Sequence, residues 1–329
     1  MNIYINEVRE MFILKYYFSI NNSRRINIDK TEVELFKSGD LEAFLSSKDI
    51  SEMISSSSDL KITIKGFKSE DEAINYIPRL EFILDYYGIQ QNIRIIKNND
   101  ANVSIEKEES TLFVDSDGKT RYNTSFVDEL KLSSEVKFFV KHDNDNEQLQ
   151  KYFNLSLNND LSKHEQIVLA VKLLNSSIGD SSTMSFILIV TSLEVLSNTL
   201  SKVKKKNNKN IIQIIGLLNK YLNSPDIEGK TEDKQKVKSH IGKFKNKSKT
   251  NLIKEVFKES GISMNDLVFD YTIDNFITQC YEIRSGIVHG SEYKDNELLK
   301  KYSFSDVVNE LRRQTKKVID YQIKHKLES

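Results

Sequence analysis

Apolar positions in about the first 125 residues follow strand and helix periods in turn. The apolar and aromatic run Met11–Ile20 predicts a buried strand, and Leu60–Phe67 alternates with the period of two that is typical of a second strand. The segment Ser69–Glu72 has the spacing of a helix capping box, so a helix is predicted to begin there. Its apolar positions continue to Gly88, the predicted stop, and Pro78 is expected to kink or split it.

Further strand patterns complete the N-terminal region. Asn92–Lys97 predicts a strand, and Thr111–Ser125 predicts a hairpin that turns at Asp117-Gly118. Together these elements indicate an α+β domain over residues 1–150, with a small, mainly antiparallel sheet whose strand order the pattern leaves open. Ser134–Asp160 is rich in Asn, Asp, Lys and Gln, so the domain boundary and a solvated linker are predicted there.

From Ser162 onward the apolar period is helical. Ser162–Glu165 has the spacing of a second capping box, which predicts the start of a helix. Further helices are predicted over Ser182–Ser201, Asn210–Leu222, Glu232–Lys245, Leu252–Glu259, Thr272–His289 and Ser305–His325. Residues 155–329 are therefore predicted to form an all-α helical bundle.

Composition narrows the class of protein. With 329 residues, 38% hydrophobic and 29% charged, the chain is expected to form two globular domains. Its apolar stretches are too short to cross a bilayer and no targeting segment opens the chain, so a cytoplasmic protein without a membrane partner is expected. The only cysteine, Cys280, cannot form an intramolecular disulfide, and zinc, phosphate-loop and serine-hydrolase motifs are absent from the sequence. No metal and no cofactor are expected.

The neutral net charge conceals two oppositely charged halves. Residues 1–150 contain 19 Lys+Arg and 27 Asp+Glu, whereas residues 151–329 contain 29 and 21, which gives −8 and +8. Residues 201–249 alone contain 14 lysines and 4 acidic residues. Lysines bind phosphates without reading sequence, so RNA is the expected partner. The candidate RNA-binding residues are Lys202, Lys204, Lys205, Lys206, Lys243, Lys245 and Lys247. The alternative is a solvated loop that docks against the acidic N-terminal domain.

The predicted helix Thr272–His289 carries the candidate chemistry. Phe276, Cys280, Ile283 and Ile287 lie at the spacing of one buried stripe. Arg284 interrupts the neighbouring apolar stripe, where a half-desolvated guanidinium needs an anion or a hydrogen-bond partner. His289 immediately precedes Gly290, the predicted helix stop, where the helix macrodipole favours a protonated imidazole.

The stretch from Tyr281 to Gly290, YEIRSGIVHG, lies downstream of an apolar helix that contains Ser192–Leu196, SLEVL. This combination resembles the HEPN superfamily, in particular its Apea-like branch, in which a SLEVL-like helix precedes a Y-x-x-R-S-x-x-V-H-G motif. The resemblance covers about residues 160–325, and the N-terminal domain contributes little to it.

The resemblance implies roles for individual residues. Arg284 and His289 correspond to the catalytic arginine and histidine of the family, Ser285 to its polar residue after the arginine, and Glu194 to its helix acidic residue. Tyr281 is a supporting residue that is expected to pack rather than react. The implied protein is a HEPN homodimer and a metal-independent endoribonuclease of toxin or antiphage-defence type. Its N-terminal domain would be a sensor or regulatory domain.

Physical chemistry is consistent with these roles. Cleavage of RNA by its own 2′-hydroxyl needs a base, an acid and positive charge near the phosphate, and histidine and arginine supply these without a metal. Residues five apart on a helix point about 140° apart, so one copy is poorly arranged to hold one phosphate. Two copies across a twofold axis could form one cleft.

Other interpretations of the same residues stay open at this point. Arg284 could pair with an internal carboxylate such as Glu194 or Glu282, and His289 could only cap its helix. Glu194 could orient Arg284 or be an ordinary carboxylate at the edge of the core. The alternative function is a non-catalytic HEPN module that binds RNA or a protein partner.

Overall fold

The computed structural model describes residues 8–21, 25–97, 103–114, 120–123, 144–157, 160–203, 209–224, 231–243 and 248–327. The chain divides into two compact units between Lys163 and His164. The first unit contains an antiparallel sheet with two helices, and the second is mostly helical. Among the described helices, none is both long and apolar enough to cross a membrane.

Among the described residues, the sheet of the first unit has seven strands. They are β1 (Val8–Asn21), β2 (Glu32–Ser38), β3 (Leu41–Ser47), β4 (Asp59–Phe67), β5 (Arg94–Ile96), β6 (Val103–Val114) and β7 (Thr120–Asn123). Their order is β2-β3-β4-β1-β6-β7, with β5 also paired to β1, and every pairing is antiparallel. The predicted antiparallel sheet is therefore confirmed, and so is the β6–β7 hairpin. Its predicted turn at Asp117-Gly118 lies outside the described residues.

The predicted strands Met11–Ile20 and Leu60–Phe67 correspond to β1 and β4, in which alternate side chains are apolar and buried. In β1, Leu14, Tyr16 and Phe18 are buried, and the paired strand β4 buries Leu60, Ile62 and Ile64. The hairpin of β2 and β3 was not predicted. It turns at Gly39-Asp40, where Gly39 has a φ of 60°, the positive value that the first central residue of a type II′ turn requires.

Helix α1 (Glu70–Gln91) begins as predicted but ends later. The hydroxyl of Ser69 accepts from the Glu72 N–H, and the Glu72 carboxylate accepts from the Lys68 N–H. The helix continues through Pro78 as one element, so the predicted split is wrong. Buried apolar residues on both sides of Pro78 outweigh the lost hydrogen bond. The predicted end at Gly88 is also wrong, because Asn92 adopts the left-handed cap at a φ of 54°.

The predicted solvated linker is wrong where the chain forms helix α2 (Asn144–Leu157). Its apolar residues lie one helical turn apart and pack on α1 and β2: Leu149 is buried, the Phe153 ring stacks on Phe36, and Tyr152 meets the ring of Tyr86 edge-on. The first turn of α2 is acidic, which suits the positive end of the helix dipole. The described boundary between the units therefore falls later than the predicted 150–155.

A polar cluster joins α1 to the sheet. The Lys97 ammonium, just after β5, lies 2.6 Å from the Asp85 carboxylate and 3.8 Å from that of Glu81. Tyr16, on β1, donates from its hydroxyl to Glu81 at 3.1 Å. We refer to these four residues as the Lys97 cluster.

The second unit contains eight helices among its described residues. They are α3 (Glu165–Ser176), α4 (Thr183–Val203), α5 (Lys209–Leu222), α6 (Thr231–Lys243), α7 (Lys249–Glu259), α8 (Ile273–His289), α9 (Glu297–Lys301) and α10 (Phe304–Lys326). The predicted helices are confirmed, with ends displaced by a few residues. Not predicted were the short helix α9 and the small hairpin of β8 (Leu267–Val268) and β9 (Tyr271–Thr272).

The core of this unit forms around α4, which packs against α3, α7, α8 and α10. Its buried residues include Phe186, Ile189, Val190 and Leu193. The predicted capping box at the start of α3 is wrong: Ser162 lies in a short 3-10 turn, and its hydroxyl donates to Asp160 instead. The Asp160 carboxylate also accepts from the Ser162 N–H, so Ser162 belongs to a local turn, and His164 rather than Ser162 precedes α3.

Candidate functional site

Helix α8 has well-defined ends. Thr272 caps its N-terminus, because the hydroxyl accepts from the Asn275 N–H at 3.3 Å. Gly290 ends the helix with a φ of 68°, and its N–H donates to the Gly286 carbonyl. The predicted stop is confirmed, and it leaves His289 as the last helical residue, next to the point where the backbone departs.

One stripe of α8 anchors it in the core. Phe276, Cys280 and Ile283 are buried as the spacing predicted, and Ile287, one turn later, is half-buried. Burial raises the pKa of the Cys280 thiol well above its ordinary value. A thiol held neutral in this way is a poor nucleophile, so Cys280 is a packing residue.

The neighbouring stripe of α8 meets α4 at a carboxylate. Glu194 accepts one hydrogen bond from the Tyr281 hydroxyl at 3.1 Å and one from the Arg284 guanidinium at 3.3 Å. The guanidinium carbon lies 5.9 Å from the centre of the Tyr281 ring. We refer to Glu194, Tyr281 and Arg284 as the Glu194 cluster. Of the two carboxylates considered for Arg284, the structure selects Glu194, and Glu282 is exposed.

The hydrogen bonding of Arg284 is incomplete. Its Nε is buried and has no partner among the described residues, while its one bond to Glu194 is long for a charge-assisted pair. A guanidinium has five N–H donors in a planar fork, and the described residues give this one a single side-chain hydrogen bond, so donors remain for a further acceptor. Burial raises the pKa of Tyr281, and the Glu194 carboxylate raises it further, so this tyrosine stays a protonated donor at neutral pH.

His289 is apart from this cluster. Its side chain is exposed and forms no hydrogen bond or ion pair within the described parts of the chain. The helical repeat places it about 140° around α8 from Arg284. Ser285 is half-buried and forms no side-chain hydrogen bond with described residues. The structure thus brings Glu194, Tyr281 and Arg284 together, and it does not bring His289 or Ser285 to them.

Two further residues shape this end of α8 and were not predicted. A methyl group at Gly286 would lie 2.7 Å from the Tyr293 Cβ, so only glycine lets the chain after α8 fold back this closely. The returning residues Ser291–Asp295 line an open cavity of about 380 Å³. A glycine inside a helical pattern was the available signal, because it often marks a close approach.

The predicted RNA-binding lysines do not help to define the geometry of the site. The backbone of Lys202 lies in α4 and that of Lys243 in α6, and the others are outside the described residues: Lys204, Lys205, Lys206, Lys245 and Lys247. Nor do the described ranges contain a group of three or more His, Cys, Asp or Glu residues that could hold a metal ion.

Comparison with known proteins leaves the site to be judged on its own geometry. No protein-family model matches the chain, and neither the curated proteins nor the solved structures that were searched give a match. The resemblance to HEPN proteins therefore depends on the motif residues alone.

Proposed function

We propose that this protein is a metal-independent endoribonuclease whose composite site contains Arg284 and His289 from two HEPN-type protomers. The observation that carries the proposal is the half-buried Arg284, which the Glu194 cluster holds in place while its Nε has no partner among the described residues. Most buried polar groups are hydrogen-bonded, so an arginine whose donors are only partly used among the described residues is a candidate to bind an anion. The bridging or terminal oxygens of an RNA phosphate are acceptors of the kind that its remaining donors fit.

The proposed chemistry needs no group beyond these side chains. A neutral His289 removes the proton from the ribose 2′-hydroxyl, and the 2′-oxygen attacks the adjacent phosphorus. Arg284 stabilises the negative charge that develops on the phosphate. The bond to the 5′-oxygen then breaks, a protonated imidazole donates a proton to that oxygen, and the products are a 2′,3′-cyclic phosphate and a 5′-hydroxyl.

The angle between the two residues supports a dimer. Because Arg284 and His289 lie about 140° apart on α8, one protomer presents them in different directions. A twofold axis beside the end of α8 would bring the second copy of each residue to the same cleft. Activity per protomer is therefore expected to fall when the protein is diluted below the dissociation constant of the dimer.

The experiment is incubation of total RNA with the full-length protein in the presence of EDTA. Wild type is expected to leave cyclic-phosphate and 5′-hydroxyl ends. His289→Ala should lower the cleavage rate by about 10²–10⁴-fold, and Arg284→Ala by about 10²–10³-fold. His164→Ala is the matched control, because this imidazole lies at the start of α3 and makes no capping bond. Intact RNA with wild type, together with RNA binding that survives both substitutions, would support the non-catalytic binding module instead.

A further inference from the structure

One face of α5 exposes a continuous apolar row. Ile214, Leu217, Leu218 and Tyr221 follow one another at i, i+3, i+4 and i+7, the spacing of a single helical stripe. Their exposed fractions are 54%, 67%, 43% and 67%. We refer to these four residues as the α5 row. Single exposed apolar residues are ordinary, but a contiguous row on one helix marks a binding surface.

The chain around this row is strongly basic. Residues 201–249 carry 14 lysines and 4 acidic residues, with lysines both before and after α5 in the sequence. Lys220 is exposed within α5 itself. On α6, which packs against α5, Lys238 hydrogen-bonds to Asn223 at the end of α5. The helices α5 and α6 themselves carry six lysines and two acidic residues, so the apolar row belongs to a helix pair with a net charge of +4.

We infer that α5 lies in the headgroup region of an anionic lipid bilayer, with the α5 row against the acyl chains and the lysines near the lipid phosphates. A helix with an apolar row and a basic surround is typical of binding in the plane of a membrane interface. The 14 residues of α5 are too few to span a bilayer, and an in-plane helix needs no such length. The expectation of no membrane partner was based on the lack of a spanning segment and of a targeting segment, and an in-plane helix needs neither.

Two other occupants fit the observations less well. RNA would use the lysines, but phosphate contacts leave exposed Ile, Leu and Tyr side chains without a role. A second copy of the same helices would cover the row, but it would bring two segments of like charge together, at a cost in repulsion. A bilayer that contains anionic lipid satisfies both features, because it accepts an apolar row and attracts lysines wherever they lie along the segment.

The test is flotation of the full-length protein with vesicles of phosphatidylcholine, or of phosphatidylcholine and phosphatidylglycerol in equal parts. Wild type is expected to float with the anionic vesicles and to stay behind with the neutral ones. The double variant Leu217→Ser, Tyr221→Ser should bind on the order of tenfold more weakly, because two side chains leave the apolar phase. Leu267→Ser is the matched control: Leu267 is 70% exposed but lies outside the row, so its loss should change binding by less than about twofold.

Three results would overturn the inference. The first is no flotation of wild type with anionic vesicles. The second is equal binding of the double variant and wild type, with binding abolished by salt alone, because the lysines would then suffice. The third is a wild-type dimer in sedimentation velocity that the double variant loses, which would assign the row to self-association. The cleavage assay of His289→Ala is separate from the two flotation results, since the α5 row contains neither Arg284 nor His289.

Discussion

The Lys97 cluster of the sheet unit and the Glu194 cluster of the helical unit contain the same chemical groups: a cation, carboxylate and tyrosine. In the first, the Lys97 ammonium is 2.6 Å from Asp85, and these side chains are only 15% and 6% exposed. In the second, Arg284 is 3.3 Å from Glu194, with exposures of 23% and 15%. The first cation is paired closely with a buried carboxylate, whereas the second keeps a buried Nε without a described partner.

This difference separates a stabilising cluster from a candidate site. A buried charge pair is stable when short bonds satisfy its groups, and its removal leaves an uncompensated charge. A polar group that stays unsatisfied lowers stability, and a cation whose donors are only partly used can bind a further acceptor. We therefore expect the Lys97 cluster to stabilise the fold and the Glu194 cluster to contribute to RNA binding and cleavage.

The largest expected effect is on the stability of the sheet unit. Lys97→Met should lower the free energy of unfolding by about 3–5 kcal/mol, because it removes the cation that lies 2.6 Å from the buried Asp85 carboxylate. Urea unfolding followed by circular dichroism measures the loss. Lys68→Met is the control, because the Lys68 side chain is exposed. A loss for Lys97→Met no greater than that of the control would remove the contrast between the clusters.

The sequence predicted the fold best where local pattern and tertiary packing agree. Strands β1 and β4 alternate cleanly, and the start of α1 has its own capping residues. Helix α2 was missed because its first half is acidic and rich in Asn. Its apolar residues are buried only because they pack on Phe36 and Tyr86, which the local sequence does not reveal. Gly66 was overlooked for a similar reason: a Cβ there would lie 1.7 Å from the Asp40 carbonyl oxygen, a contact between distant parts of the chain.

The candidate site could be predicted only in part. Spacing placed Arg284 on an apolar stripe and His289 at the helix end, both of which are local properties of α8. The partner of Arg284 lies on α4, 90 residues earlier, so the choice of Glu194 over Glu282 depended on how two helices pack. The approach of Tyr293 to Gly286 likewise depends on the path of the chain after the helix, which periodicity does not encode.

A smaller effect on stability is expected at the second cluster. Arg284→Met should cost about 1 kcal/mol, because Glu194 keeps the Tyr281 hydrogen bond and some access to water. Arg312→Met is the matched control in the same unit: Arg312 donates to the Ser177 hydroxyl and carbonyl, the Asp180 carbonyl and Asn309. Its loss should cost about 2–3 kcal/mol, since it leaves acceptors unsatisfied. Equal costs in urea unfolding for the two arginines would mean that Arg284 is a structural residue.

The smallest effect is expected from the two tyrosines at high pH. Burial and Glu81 raise the pKa of Tyr16, and burial and Glu194 raise that of the more exposed Tyr281. An unfolded tyrosine ionises near pH 10, so the stability that depends on a protonated tyrosine is complete below about pH 10 and decreases as pH rises toward the folded pKa. Tyr16→Phe should therefore flatten the decline in unfolding free energy above that pH, and Tyr281→Phe should flatten it less. Urea unfolding at a series of alkaline pH values compares the slopes. If Tyr281→Phe removed as much of the slope as Tyr16→Phe, the tyrosine of the Glu194 cluster would be held as tightly as that of the Lys97 cluster. This result would contradict the proposal that the Glu194 cluster can accept a phosphate.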